Sequence, residues 1–125
     1  MGIEKLDHVN LRTTRLQEMV TWYTDVLGLI SGKRPDFGFP GAWLYAGDQA
    51  VVHLVAIEGP EGIGSEVALK MEHVAFTARD AKAFEARLKT GGVAFKKGGP
   101  PGTKIVAYNL WDPDGNHIHV DFEEG

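Results

Sequence analysis

The sequence predicts an α+β fold built from two tandem βαβββ modules, and three observations carry that reading. "LDHVNL" near the start lies over "MEHVAF" past the middle, with His8 on His73 at an offset of 65. "AWLYAGDQAVVHLV" lies over "YNLWDPDGNHIHVD" without gaps and sets His53 on His119 at an offset of 66, so one inserted residue reconciles the registers. Each half also holds one segment of helical period among segments that alternate as strands do.

In the first half, residues 4–12 ("EKLDHVNLR") alternate as a strand, with Val9 and Leu11 on one face and His8, Asn10 and Arg12 on the other. "TTRLQEMVTWYTDVLGL" follows as a helix. Thr14 and Gln17 have capping-box spacing, Leu16, Met19, Val20, Tyr23, Val26 and Leu27 form its apolar stripe, and Gly28 stands at its stop. Strands are expected at about 29–34, 42–46 and 50–57, the first two separated by the Gly/Pro loop "RPDFGFPG". Residues 58–69 read as a linker between module one (about 4–57) and module two (about 70–123).

The second half opens with a strand at 70–78. A helix in "RDAKAFEARLKTGG" follows, with Ala81, Phe84 and Leu88 on its stripe and Gly91 at its stop. Strands near 93–97, 104–111 and 116–123 are divided by the "GGPPGT" and "DPDGN" turns.

Composition narrows the function. With 125 residues, 43% hydrophobic and 24% charged, the chain has the balance of a globular domain able to bury a core. A net charge of −4 and the lack of a basic run point away from nucleic acid. No cysteine is present, which excludes disulfides, thiolate metal sites and a cysteine nucleophile. The N-terminus has no apolar signal core, Leu6 stands where a myristoylation motif wants Ser or Thr, and no apolar stretch would span a bilayer, so a cytoplasmic, membrane-free protein is expected.

The histidines carry the chemistry. Side chains two apart on a strand share a face. The faces opposite His8, His53, His73 and His119 carry Val9 and Leu11, Val52 and Leu54, Val74 and Phe76, and Ile118, Val120 and Phe122, the residues suited to pack on the helices. All four histidines therefore turn away from the helix-packed core. If the halves form one curved sheet, the rings converge in its concavity, where neutral imidazoles would hold one divalent ion: Zn, Ni, Fe, Mn or Co. The plainer reading is a structural histidine copied by duplication. His117 shares the face of His119 but matches Val51, which suits pocket lining or solvent better than ligation. Asp121 shares that face too and is placed to orient an imidazole. Glu72 is expected on the wrong face.

These residues resemble the vicinal oxygen chelate superfamily, which includes glyoxalase I, methylmalonyl-CoA epimerase, fosfomycin- and bleomycin-resistance proteins and extradiol dioxygenases. "LDHVNLRTT" with "WYTDVLGL", then "HLV", "MEHVAF" and "WDPDGNHIHV", carry the resemblance over almost the whole chain. It implies a single domain over residues 1–125 whose modules form a curved, cup-like mixed sheet with the helices on its outer face. It also implies metal ligands at His8, His53, His73 and His119, and assembly as a homodimer, which exposed sheet edges also favour.

Many relatives place glutamate where this chain has His119, and often where it has His53. Four imidazoles leave the full +2 on the site and suit an anionic, oxygen-chelating small molecule, but they supply no built-in base. Asp121 or His117 is left to move a proton. Arg12 resembles the arginine with which glyoxalase I holds a substrate carboxylate, the alternative being a surface ion pair. Asn10 lies beside it on the same face, and Phe37, Phe39 and Trp43 are placed to cover a substrate or to complete a core. The expected activity is that of a metal-dependent lyase or isomerase. A ring-cleaving dioxygenase and a non-catalytic binding protein of the bleomycin-resistance type are the alternatives.

Overall fold

The computed structural model describes residues 1–2, 4–58 and 71–123, and the chain forms two compact units, Met1–Glu61 and Gly62–Gly125. The first contains β1 (Val9–Thr13), α1 (Leu16–Asp25), β2 (Ile30–Gly32), β3 (Gly41–Ala46) and β4 (Gln49–Ala56). The second contains β5 (Val74–Thr77), α2 (Ala81–Thr90), β6 (Lys96–Gly98), β7 (Ile105–Trp111) and β8 (His117–Glu123). Each unit is a βαβββ module with a mixed four-stranded sheet, ordered β1-β4-β3-β2 and β5-β8-β7-β6. Residues 59–69 of the expected linker lie outside the described residues.

The registers repeat as the sequence offsets require. β1 runs parallel to β4 with Asn10 opposite His53, and β5 runs parallel to β8 with Ala75 opposite His119. Across the antiparallel pairs, Trp43 faces His53 and Leu44 faces Val52, while Asn109 faces His119 and Leu110 faces Ile118. The halves then part. A bulge carries the β3–β4 pairing from Leu44–Val52 to Tyr45–Ala50 and skips Val51, whereas β7–β8 continues in register to Trp111–His117. His117 thus has no paired counterpart in the first unit.

Alternation buries one face of each sheet. In the first unit Leu44, Val52 and Leu54 are buried with Met19 and Tyr23 of α1 and with Val26 and Leu29. In the second, Leu88 of α2 is buried together with Tyr108, Leu110, Ile118, Val120 and Phe122. Phe84 meets Tyr108 edge-on at 5.5 Å and Phe122 at 5.4 Å, which seats α2 on β7 and β8. Burying each of these large apolar side chains contributes about 1.5–3 kcal/mol.

Two local expectations are corrected. Thr14 and Gln17 make no capping box: Arg15 takes the N-cap position without a side-chain cap, and Thr13 Oγ1 accepts from the Arg15 N–H at 2.9 Å. Asp80 caps α2 by accepting from the Ala83 N–H. Gly91 is the C-cap of α2, as expected, and Gly92 after it is left-handed (φ 65°). Finally, β1 and β5 are shorter than expected and start at Val9 and Val74, so His8 and His73 each stand one residue before their strands.

Candidate metal centre

In the first unit the two histidines meet. The side chain of His8 lies two residues before Asn10, the partner of His53, and neighbouring strands run about 4.8 Å apart. The rings stack with centroids 3.8 Å apart and planes 9° from parallel. On the other neighbouring strand Trp43 stacks on His53 at 4.1 Å and 14°. His53 is consequently buried and holds its proton less readily than a free imidazole, first through desolvation and then through the charge of His8. Its Nε2 donates to the Ala50 carbonyl at 3.2 Å, which leaves Nδ1 as the lone-pair atom. His8 is tethered the opposite way. Its Nδ1 donates to Asp7 Oδ1 at 2.6 Å, so Nε2 is left without a hydrogen bond among the described residues. That bond also holds the Asp7 carboxyl below its ordinary range.

The second unit repeats this arrangement and adds to it. His73 and His119 stack at 4.0 Å and 8°. His73 Nδ1 donates to Glu72 Oε1 at 2.8 Å, as His8 does to Asp7. The added group is His117, two residues before His119 on the same face, edge-on to His119 at 4.8 Å and to His73 at 5.5 Å. Ligand atoms of His73, His117 and His119 all lie within 4.8 Å of one another. His117 is heavily engaged: Nδ1 lies 2.8 Å from Glu72 Oε2, Nε2 lies 3.0 Å from Asn109 Oδ1, and Trp111 stacks on the ring at 5.0 Å.

Glu72 therefore grips two imidazoles with its two oxygens. The hydrogen bonds from His117 and then His73 bring its carboxyl down to about 2. His119 is lowered by desolvation, then by the charges of His73 and His117. Asp121 Oδ1 stands 3.9 Å from His119 Nδ1, and it is buried without a hydrogen-bond partner among the described residues.

The expectation for Glu72 is thereby corrected. Face alternation does not extend to a residue that precedes the strand, and its carboxylate turns toward the imidazoles. The sequence did hold a signal for this contact: an acid immediately precedes the first histidine of both modules, Asp7-His8 and Glu72-His73.

Asn10 and Arg12 are exposed on β1, on the face of His53. Phe37 and Phe39 are exposed and stack at 5.5 Å, and Phe37 lies 6.2 Å from Trp43, so a run of rings extends from the loop to His8. Arg34, not singled out from the sequence, fixes this loop. Its guanidinium lies 4.9 and 5.2 Å from the two phenyl rings, and Nη2 donates to the Phe39 carbonyl. Gly41 keeps this corner open, since a Cβ there would collide with the Leu54 carbonyl and meet Arg34 Nη2 at 2.7 Å.

The model for the Glyoxalase/Bleomycin resistance protein/Dioxygenase superfamily matches residues 5–120. The chain belongs to this superfamily. Lactoylglutathione lyase of Salmonella typhimurium is 30% identical over 125 residues, covering 93% of this chain and 90% of that protein. Glyoxylase I 4 of Arabidopsis thaliana is 28% identical, covering 96% of this chain and 71% of that one. Among solved structures, the glyoxylase/bleomycin resistance protein/dioxygenase domain from Frankia sp. EAN1pec superposes with a TM-score of 0.76 at 20% identity, over 98% of this chain and 100% of that chain. A glyoxalase-superfamily member with βαβββ modules thus carries stacked histidine pairs at matched positions of its two units.

Proposed function

We propose that this chain is a metal-dependent lyase or isomerase of the glyoxalase type, acting on a small molecule that presents adjacent oxygens. The observation that carries the proposal is the duplicated pair. In each module a histidine before the first strand stacks on one in the fourth strand, with an acid on the Nδ1 of the former. The similarity to a lactoylglutathione lyase supports the same reading.

The donor chemistry suits a divalent ion such as Zn, Ni, Fe, Mn or Co. The proposed ligands are His8 and His53 of the first unit and His73 and His119 of the second. His8 and His73 keep Nε2 available, and burial favours the neutral, ligating form of His53 and His119. Such an ion supplies Lewis acidity toward a chelated oxygen. His117 is the least free to ligate, since both of its nitrogens are within hydrogen-bond distance of other side chains.

The remaining residues bind substrate and move protons. Arg12 and Asn10 present exposed polar groups to an anionic substrate, and Phe37, Phe39 and Trp43 offer an apolar cover. Asp121, with a buried oxygen that has no hydrogen-bond partner among the described residues, and His117, held between Glu72 and Asn109, are the groups available for proton transfer. The protein is proposed to work in the cytoplasm as a homodimer. Among the described residues no helix is long and apolar enough to cross a membrane.

The test is turnover of S-lactoylglutathione and of other small oxygen chelates by protein loaded with Zn, Ni, Co, Mn or Fe, with and without oxygen. Oxygen-independent turnover with at least one metal is expected. Turnover that requires both ferrous iron and oxygen would establish the dioxygenase instead, and ligand binding by metal-free protein without turnover would establish a binding protein.

A further inference from the structure

The duplication includes more than the histidines. Asp7 and Glu72 stand at matched positions, and each receives the Nδ1–H of the histidine that follows it, at 2.6 and 2.8 Å. A carboxylate only accepts, so each contact requires the proton on Nδ1 and turns the lone pair of Nε2 outward. His53 shows the reverse assignment, with Nε2 held by the Ala50 carbonyl. Without a partner, a neutral histidine ring would be shared between tautomers and its ligating atom left unfixed.

We propose that Asp7 and Glu72 are positioning residues that lock His8 and His73 in the Nδ1–H form, so that Nε2 is the atom each presents for coordination. The two carboxylates differ in reach. Asp7 serves one ring, whereas Glu72 holds His73 with Oε1 and His117 with Oε2 and so couples the two imidazoles of the second unit. Asn109 completes the clamp on His117, with its amide oriented by the Lys96 carbonyl. In the first unit the positions that match Asn109 and His117 hold Trp43 and Val51, so among the described residues Asp7 holds one ring. The proposal deepens the metal reading, and only its affinity measurement rests on that reading.

Both acids are exposed, 64% and 71% at the side chain, so Asp7→Asn and Glu72→Gln leave the core untouched. The experiment is long-range proton–nitrogen correlation NMR of the histidine rings in chelator-treated protein, at a pH well above the ordinary imidazole range. Expected in the wild type is the Nδ1–H tautomer at His8 and at His73. In Glu72→Gln, His73 loses that preference, His117 changes with it and His8 does not. In Asp7→Asn only His8 changes. An Nε2–H tautomer at His8 and His73 in the wild type, or ring spectra that neither variant alters, would overturn the proposal.

Zn2+ titration supplies the second readout, with affinity expected to fall about 10–100-fold in each variant. Equal Zn2+ affinity in wild type and both variants would overturn the positioning role and leave the metal centre standing. Failure of the wild type to bind Zn2+, with the tautomers responding as described, would support the orienting role and count against the metal reading.

Discussion

The imidazoles of His73 and His119 lie face to face, 4.0 Å apart and 8° from parallel, although 46 positions separate them in the chain. The parallel register of β5 and β8 produces this contact, and β1 with β4 produces its counterpart at His8 and His53. Two positive rings in such contact would repel, and burial disfavours charge on the inner ring of each pair.

Acid should therefore destabilise the metal-free protein in two stages. His53 and His119 have folded-state values below their ordinary 6.5. Below 6.5 the unfolded chain binds more protons at these rings, so their contribution is full above 6.5 and is lost as pH falls through their folded values. Glu72, and Glu85 of α2 through side-chain hydrogen bonds from Lys89, Tyr108 and Lys97, are each lowered from 4.5 to about 2 and add a second loss across that lower window. Melting temperature against pH checks this, and a flat profile from neutral pH down to 4.5 would contradict the first stage.

Trp43 covers the face of His53 away from His8. Trp43→Ala should raise the His53 titration midpoint back toward 6.5 by admitting water, and should cost about 0.5–1.5 kcal/mol of ring contact beyond the lost burial. Ring-proton NMR titration measures the first effect and urea denaturation the second.

Leu44 and Leu110 occupy matched registers on the faces opposite the histidines, and both are fully buried. Leu44→Ala and Leu110→Ala should each cost about 2–5 kcal/mol, with metal content unchanged in whatever fraction stays folded. Denaturant curves paired with metal analysis would show this separation of core from site.

Much of this was legible in the sequence because duplication writes a register twice. The offsets of 65 and 66 matched His8 with His73 and His53 with His119, and strand alternation put Val52, Leu54, Ile118, Val120 and Phe122 in the cores. What alternation could not reach lay outside the strands or depended on their irregularities. Glu72 precedes β5, so its direction is set by two imidazole contacts and not by pleat. The bulge that skips Val51 comes from the pairing of β3 with β4, so the singularity of His117 appears only once both strands are placed. Arg34 became visible as the brace of the aromatic loop through its approach to two rings and to Gly41.

The most direct test of the central claim is elemental analysis of untagged protein purified without chelators, alongside His8→Ala from the first unit and His119→Ala from the second. The account predicts bound divalent metal in the wild type and a lower metal content in each variant. Retention of the full metal content in both variants would contradict it.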